Sequence, residues 1–105
     1  MTLDLDETNF HKTISNAKGV ALVDFFATWC GACKKQLPVI DELFEEKPDN
    51  VLIAKVDVEQ SQNLAKIFKI SSIPTLIIFK DGKIAETIVG FHTKDKLKAS
   101  LMNYL

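Results

Sequence analysis

The chain has 105 residues, 47 % apolar and 26 % charged, with a formal net charge of −1. That size suits a single domain over residues 1–105, with a core that needs neither a metal nor a disulfide framework. Interspersed lysines and acids give no basic face for nucleic acid and no polybasic segment for a membrane surface.

The opening "MTLDLDETNF" has no basic n-region and no apolar h-region, so no signal peptide is expected and the cytoplasm is the default compartment. A short strand is expected at residues 3–5. Phe10, Ile14 and Ala17 then recur at helical spacing, which predicts a helix begun near Asp6 and stopped before Gly19. "VALVDFFA", residues 20–27, is a nearly continuous apolar run of the kind found in strands covered on both faces. At eight residues it is far too short to span a bilayer. In the helix that follows, Cys33, Leu37, Ile40 and Phe44 share one predicted buried face, and Pro38 is expected to kink that helix without ending it.

"VLIAKVDV" reads as a second interior strand, and Leu64, Ile67 and Phe68 as the apolar face of a shorter helix. "TLIIFK" and "KIAETIV", joined by Asp81-Gly82, predict a hairpin with a type I′ turn. Thr93 can cap a last helix carrying Leu97, Leu101 and Tyr104. The order βαβαβαββα predicts an α/β fold, a central mixed five-stranded sheet flanked on both faces by four helices.

Cys30 and Cys33 are the only cysteines, spaced Cys-x-x-Cys where a buried strand gives way to a helix. Free N–H groups and the positive end of the helix dipole at that junction favour a thiolate at Cys30. Cys33, within the first turn, is near enough to close a disulfide and turns inward. The spacing therefore predicts an exposed, nucleophilic Cys30 and a more buried Cys33 suited to resolving. Two inert buried thiols, or half of a zinc site, are the competing readings. Zinc needs four ligands, and His11 and His92 lie far apart with no second cysteine pair.

Asp24 is a lone carboxylate inside an apolar strand. It either reaches water at a bulge or is desolvated beneath the active-site turn, where it can shuttle a proton. Lys55 holds a comparable place in its own strand. Strand lysines mostly face solvent, but a partly buried one would tune Asp24. Trp29, beside Cys30, suits a flat docking face better than a core position. Pro74 stands at the start of a strand, and the rarity of cis X-Pro bonds favours a trans Ile73–Pro74 peptide.

"DFFATWCGACK", "IPT", the Asp-Gly hairpin and "VG" near the C-terminus together resemble the thioredoxin family over essentially the whole chain. The resemblance implies a protein-disulfide reductase with no bound cofactor or metal, working through a reversible Cys30–Cys33 disulfide. It implies Cys30 as nucleophile, Cys33 as resolving thiol, Asp24 as the buried acid/base partner of Cys33, and Lys55 as the neighbour of Asp24. It also makes Pro74 a cis proline, against the frequency argument. Trp29, Gly31, Ala32, Ile73, Pro74, Val89 and Gly90 would form the substrate-facing surface, where the Ile73 backbone could pair with an extended substrate segment. The implied partners are disulfide-containing proteins and a thioredoxin reductase that uses FAD and NADPH; a monomer is expected, with no nucleic acid or membrane. A specialised oxidase or isomerase is one alternative, and a non-catalytic binding module is another. Two positions depart from the family pattern: Phe26 replaces a second Trp, and Ala32 replaces the usual Pro between the cysteines.

Overall fold

The architecture follows from β2 (Val20–Phe26), in which every one of the seven residues is buried. A computed structural model describes residues 2–105, and in it β2 lies at the centre of the order β1-β3-β2-β4-β5. It runs parallel to β3 (Val51–Asp57), and β3 runs parallel to β1 (Leu3–Leu5). On its other side β2 is antiparallel to β4 (Thr75–Lys80), which pairs with β5 (Lys83–Val89).

Side chains of β2 alternate between two cores. Ala21, Val23 and Phe25 pack with Phe10, Ile14, Leu64 and Phe79 on one face. Val20 and Leu22 pack with Ile40, Leu43, Leu97 and Leu101 on the other. The continuous apolar run is thus two alternating sets, each with its own helical cover. Phe10, Phe25, Phe68 and Phe79 form an aromatic cluster in the first core, with ring centroids 5.2 to 6.4 Å apart.

The first helix is a wide π-type turn, His11–Ser15. Asp6 Oδ1 starts it by accepting from the backbone N–H and hydroxyl of Thr8, at 2.8 and 2.6 Å. Helix α1 (Gly31–Glu46) continues through Pro38 as expected. Its phase differs from the expectation: Cys33, Gln36, Ile40 and Leu43 are buried, whereas Leu37 and Phe44 are only half-buried. The core face follows i, i+3, i+7, i+10 and draws in a polar residue. In α2 (Gln62–Ile67), Leu64 is buried but Ile67 is exposed, contrary to its assignment to the apolar face. Thr93 caps α3 (Lys94–Met102) by accepting from the Lys96 N–H.

The hairpin turn is of the expected kind, with φ of +51° at Asp81 and +81° at Gly82. Asp81 ties it to the start of β2, its carboxylate accepting from Gly19 N–H at 2.7 Å and its own N–H donating to Gly19 O at 2.8 Å. A Cβ on Gly82 would collide with the Ser15 carbonyl. Gly82→Ala is therefore expected to destabilise the fold by about 2–3 kcal/mol, combining left-handed strain with that collision. Urea unfolding measures it, and a loss below ~0.5 kcal/mol would contradict the account of this turn.

Candidate active site

Where β2 ends, residues 27–30 lead directly into α1, and Cys30 is the N-cap of that helix with φ −85° and ψ 122°. Its Sγ accepts from the Cys33 N–H at 3.2 Å, so a sulfur stands where a Ser or Asp oxygen commonly caps a helix. Both cysteines are free thiols. The Cys30 thiol also lies 3.8 Å from the Ile73 carbonyl, which brings the residue preceding Pro74 across to the cysteines from 43 positions away.

The expectation of an exposed Cys30 needs correcting. Cys30 is only 9 % exposed, packed with Phe26, Ala27 and Cys33 and flanked by Leu37, Val58 and Ile73. Ile73, just before β4, and Val58, just after β3, pack against this cluster from remote stretches of the chain. Cys33 is fully buried. Burial, followed by its hydrogen bond with Cys30, pushes the Cys33 thiol up to about 12, and the charge of Asp24 adds in the same direction. The two cysteines are therefore unequal in burial.

Asp24 is fully buried on β2, opposite Lys55 of β3 and Leu76 of β4. Side-chain alternation puts it on the face of Val20, Leu22 and Phe26, the α1 face. The sheet irregularity falls between Ile78 and Phe79, not at Asp24, so the solvent-reaching bulge is not what this residue occupies. Neither carboxylate oxygen has a hydrogen-bond partner among the described residues. Desolvation raises its pKa from an ordinary 3.8 to about 7, with the Lys55 charge pulling the other way. Lys55 is partly buried, and its Nζ lies 3.7 Å from Asp4 Oδ1. Its ion pair is with the exposed Asp4, and it acts on Asp24 only through its charge.

Around the sulfurs lies a mostly apolar rim. Trp29 is 66 % exposed and Val89 59 % exposed, while Gly31 and Ala32 are open at the start of α1. The Ile73–Pro74 peptide is cis, as the resemblance implied and against the frequency argument. Gly90, at φ +89°, donates its N–H to the Pro74 carbonyl at 2.8 Å, joining the two loops of the rim. Phe26, in place of a second Trp, is buried beside both cysteines.

Two residues of this region were missed in the sequence. Phe91 is 42 % exposed directly after Gly90; a large aromatic following the "VG" pair was the available signal. Gln36 is fully buried one helical turn beyond Cys33, and a spacing of i+3 from Cys33 would have found it. No group of three or more His, Cys, Asp or Glu side chains that could hold a metal ion is present among the described residues. Among them, too, no helix is long and apolar enough to cross a membrane.

Comparison with known proteins gives a consistent result. The family model described as Thioredoxin matches residues 1–103. A thioredoxin of Alicyclobacillus acidocaldarius is 40 % identical over 104 residues, covering 99 % of this chain and 98 % of that protein. One from Bacillus subtilis is 44 % identical over 89 residues, 85 % of this chain and 86 % of its own. One from Chlamydia muridarum is 50 % identical over 93 residues, 89 % of this chain and 88 % of its own. Among solved structures, a mutant thioredoxin from Halobacterium salinarum superposes with a TM-score of 0.89 at 33 % identity, covering 98 % of this chain and 89 % of that one.

Proposed function

The chain belongs to the thioredoxin family, and from that premise we propose how its own residues divide the work. It is a thiol-disulfide oxidoreductase of the protein-disulfide reductase type, with a redox-active cysteine pair and no bound cofactor. Disulfide-containing proteins and a reductase are the partners the family implies.

In our reading Cys30 thiolate attacks one sulfur of a substrate disulfide. The substrate S–S bond breaks, a Cys30–substrate disulfide forms, and the first substrate sulfur leaves as a thiol after taking a proton. Cys33, deprotonated with Asp24 as base, then attacks Cys30 sulfur. The mixed disulfide breaks, the second substrate thiol leaves, and Cys30–Cys33 is oxidised; two electrons have passed to the substrate. A thioredoxin reductase carrying FAD and using NADPH returns the pair to dithiol. The observation that carries this division is the contrast between Cys30, 9 % exposed at the helix N-cap, and a fully buried Cys33. Trp29, Gly31, Ala32, Ile73, Pro74, Val89 and Gly90 take the role of docking rim, and Lys55 moderates Asp24. The chain acts as a single-domain monomer in the cytoplasm. Reductase-coupled reduction of a protein disulfide tests the proposal; absence of turnover by the wild type would defeat it.

Ala32 sets the poise of the pair. It supplies a backbone N–H in the first turn of α1, beside the Cys33 N–H that already bonds Cys30 Sγ, where proline would supply none. A further donor near the sulfur favours thiolate, hence the reduced form, hence a stronger oxidant. Relative to Ala32→Pro, the wild type is expected to have a potential higher by about 30 mV, the equivalent of ~1.4 kcal/mol for a two-electron couple. Equilibration of both proteins with glutathione measures the difference. An equal or lower wild-type potential would sink this role for Ala32.

A further inference from the structure

The fully buried Gln36 is a polar side chain on a helix face that otherwise enters the core, and the redox chemistry gives it no task. Its amide is held at both ends. Oε1 accepts the His92 N–H at 2.8 Å, and Nε2 donates to the His92 carbonyl at 3.0 Å, across 56 positions of sequence. One side chain thus satisfies both polar groups of a single peptide residue that belongs to no helix or strand.

Val89, the last residue of β5, and Phe91, in the segment that follows it, are both exposed to solvent. This stretch is held on one side by Gly90 N–H on the Pro74 carbonyl. On the other side it is held by Gln36, one turn from Cys33 on α1. The His92 ring adds a local tie: Nδ1 lies 3.0 Å from Gly90 O, an acceptor only, so this nitrogen carries the hydrogen. We infer that Gln36 is a positioning residue for protein substrates, fixing the Val89–Phe91 wall of the docking rim to the helix that carries Cys33.

The inference rests on the docking rim proposed above. Val89 is held in the sheet opposite Thr75 and Gly90 by the Pro74 carbonyl, whereas the backbone N–H and C=O of His92 are held by Gln36, and a buried amide with its partners in place defines one geometry. Without Gln36 the His92 N–H and C=O lose their partners, and the segment must rearrange to reach water. A protein disulfide needs the wall, because its chain crosses the rim on either side of the sulfurs. A small disulfide needs only the sulfurs.

Gln36→Met keeps the volume and removes both hydrogen bonds. With insulin as substrate, KM is expected to rise about five- to tenfold with kcat unchanged. Reduction of 5,5′-dithiobis(2-nitrobenzoate) and the equilibrium with glutathione should stay at wild-type values. An unchanged KM for insulin, or a loss shared equally by both disulfides, would overturn the positioning role. In the wild type itself, the His92 amide is expected to exchange hydrogen as slowly as α1 amides; exchange at open-loop rates would overturn the role even if Gln36→Met does not fold. Val89→Asp separates this inference from its premise. A raised KM in Val89→Asp with none in Gln36→Met removes Gln36 alone, whereas no change in either removes the docking rim as well.

Discussion

Cys33→Ser is expected to stop multiple turnover of protein disulfides, a loss on the order of 10³-fold or more, while leaving the first attack intact. The serine hydroxyl cannot displace a thiol from Cys30 sulfur, so each molecule halts as a mixed disulfide. Cys30→Ser is expected to lose as much for a different reason, since no nucleophile remains and no covalent complex forms. Reductase-coupled insulin reduction, followed as NADPH consumption, reads both. The serine for cysteine exchange at the fully buried position 33 adds little volume change, so a loss of activity with retained cooperative unfolding locates the effect in the chemistry.

Asp24→Asn carries the second large effect, and it acts on stability and rate in opposite directions. The folded protein holds the Asp24 carboxyl at about 7 against an ordinary 3.8. Between those values the folded state binds a proton that the unfolded state has released. Stability therefore falls as pH rises from about 4 to about 7, and the loss is complete above that window, reaching about 4 kcal/mol. An asparagine at this position has no such titration. The variant is expected to match the wild type near pH 4 apart from a pH-independent offset, and to gain on it by up to about 4 kcal/mol at pH 8. Urea unfolding at a series of pH values measures this, and parallel stability profiles would refute a desolvated Asp24.

The rate moves the other way. A Cys33 thiol pushed up to about 12 has very little thiolate at neutral pH. Loss of the base is expected to slow release from the mixed disulfide by about 10²-fold. Stopped-flow measurement of that step checks it, and an unchanged rate would remove Asp24 from the mechanism.

Much of this was legible in the sequence where local pattern and tertiary outcome agree. The unbroken apolar run of β2 announced a strand with both faces covered, and each face has its own core. Asp81-Gly82 announced its turn because few residue pairs adopt two positive φ angles in succession. The strand-to-helix position of the two cysteines was also local information. What escaped depends on segments remote in sequence. Ile73 and Val58 pack against the cluster that holds the buried Cys30, and nothing near the Cys-x-x-Cys specifies them. The phase of α1 differs from the apolar pattern because Leu37 and Phe44 are more apolar than Gln36, which takes the buried position. Yet the core face accommodates Gln36 once His92 satisfies its amide. The cis Ile73–Pro74 bond ran against frequency and became legible only through the family resemblance.

The proposed division of labour makes the two sulfurs unequal, Cys30 attacking and Cys33 resolving. Its most direct measurement is to incubate reduced Cys33→Ser protein with insulin, isolate the covalent complex without reductant, and map the linkage by tandem mass spectrometry. The expected result is a disulfide from Cys30 to an insulin cysteine, formed in stoichiometric amount and released by dithiothreitol. Absence of the complex, with Cys30→Ser forming one through Cys33 instead, would contradict it.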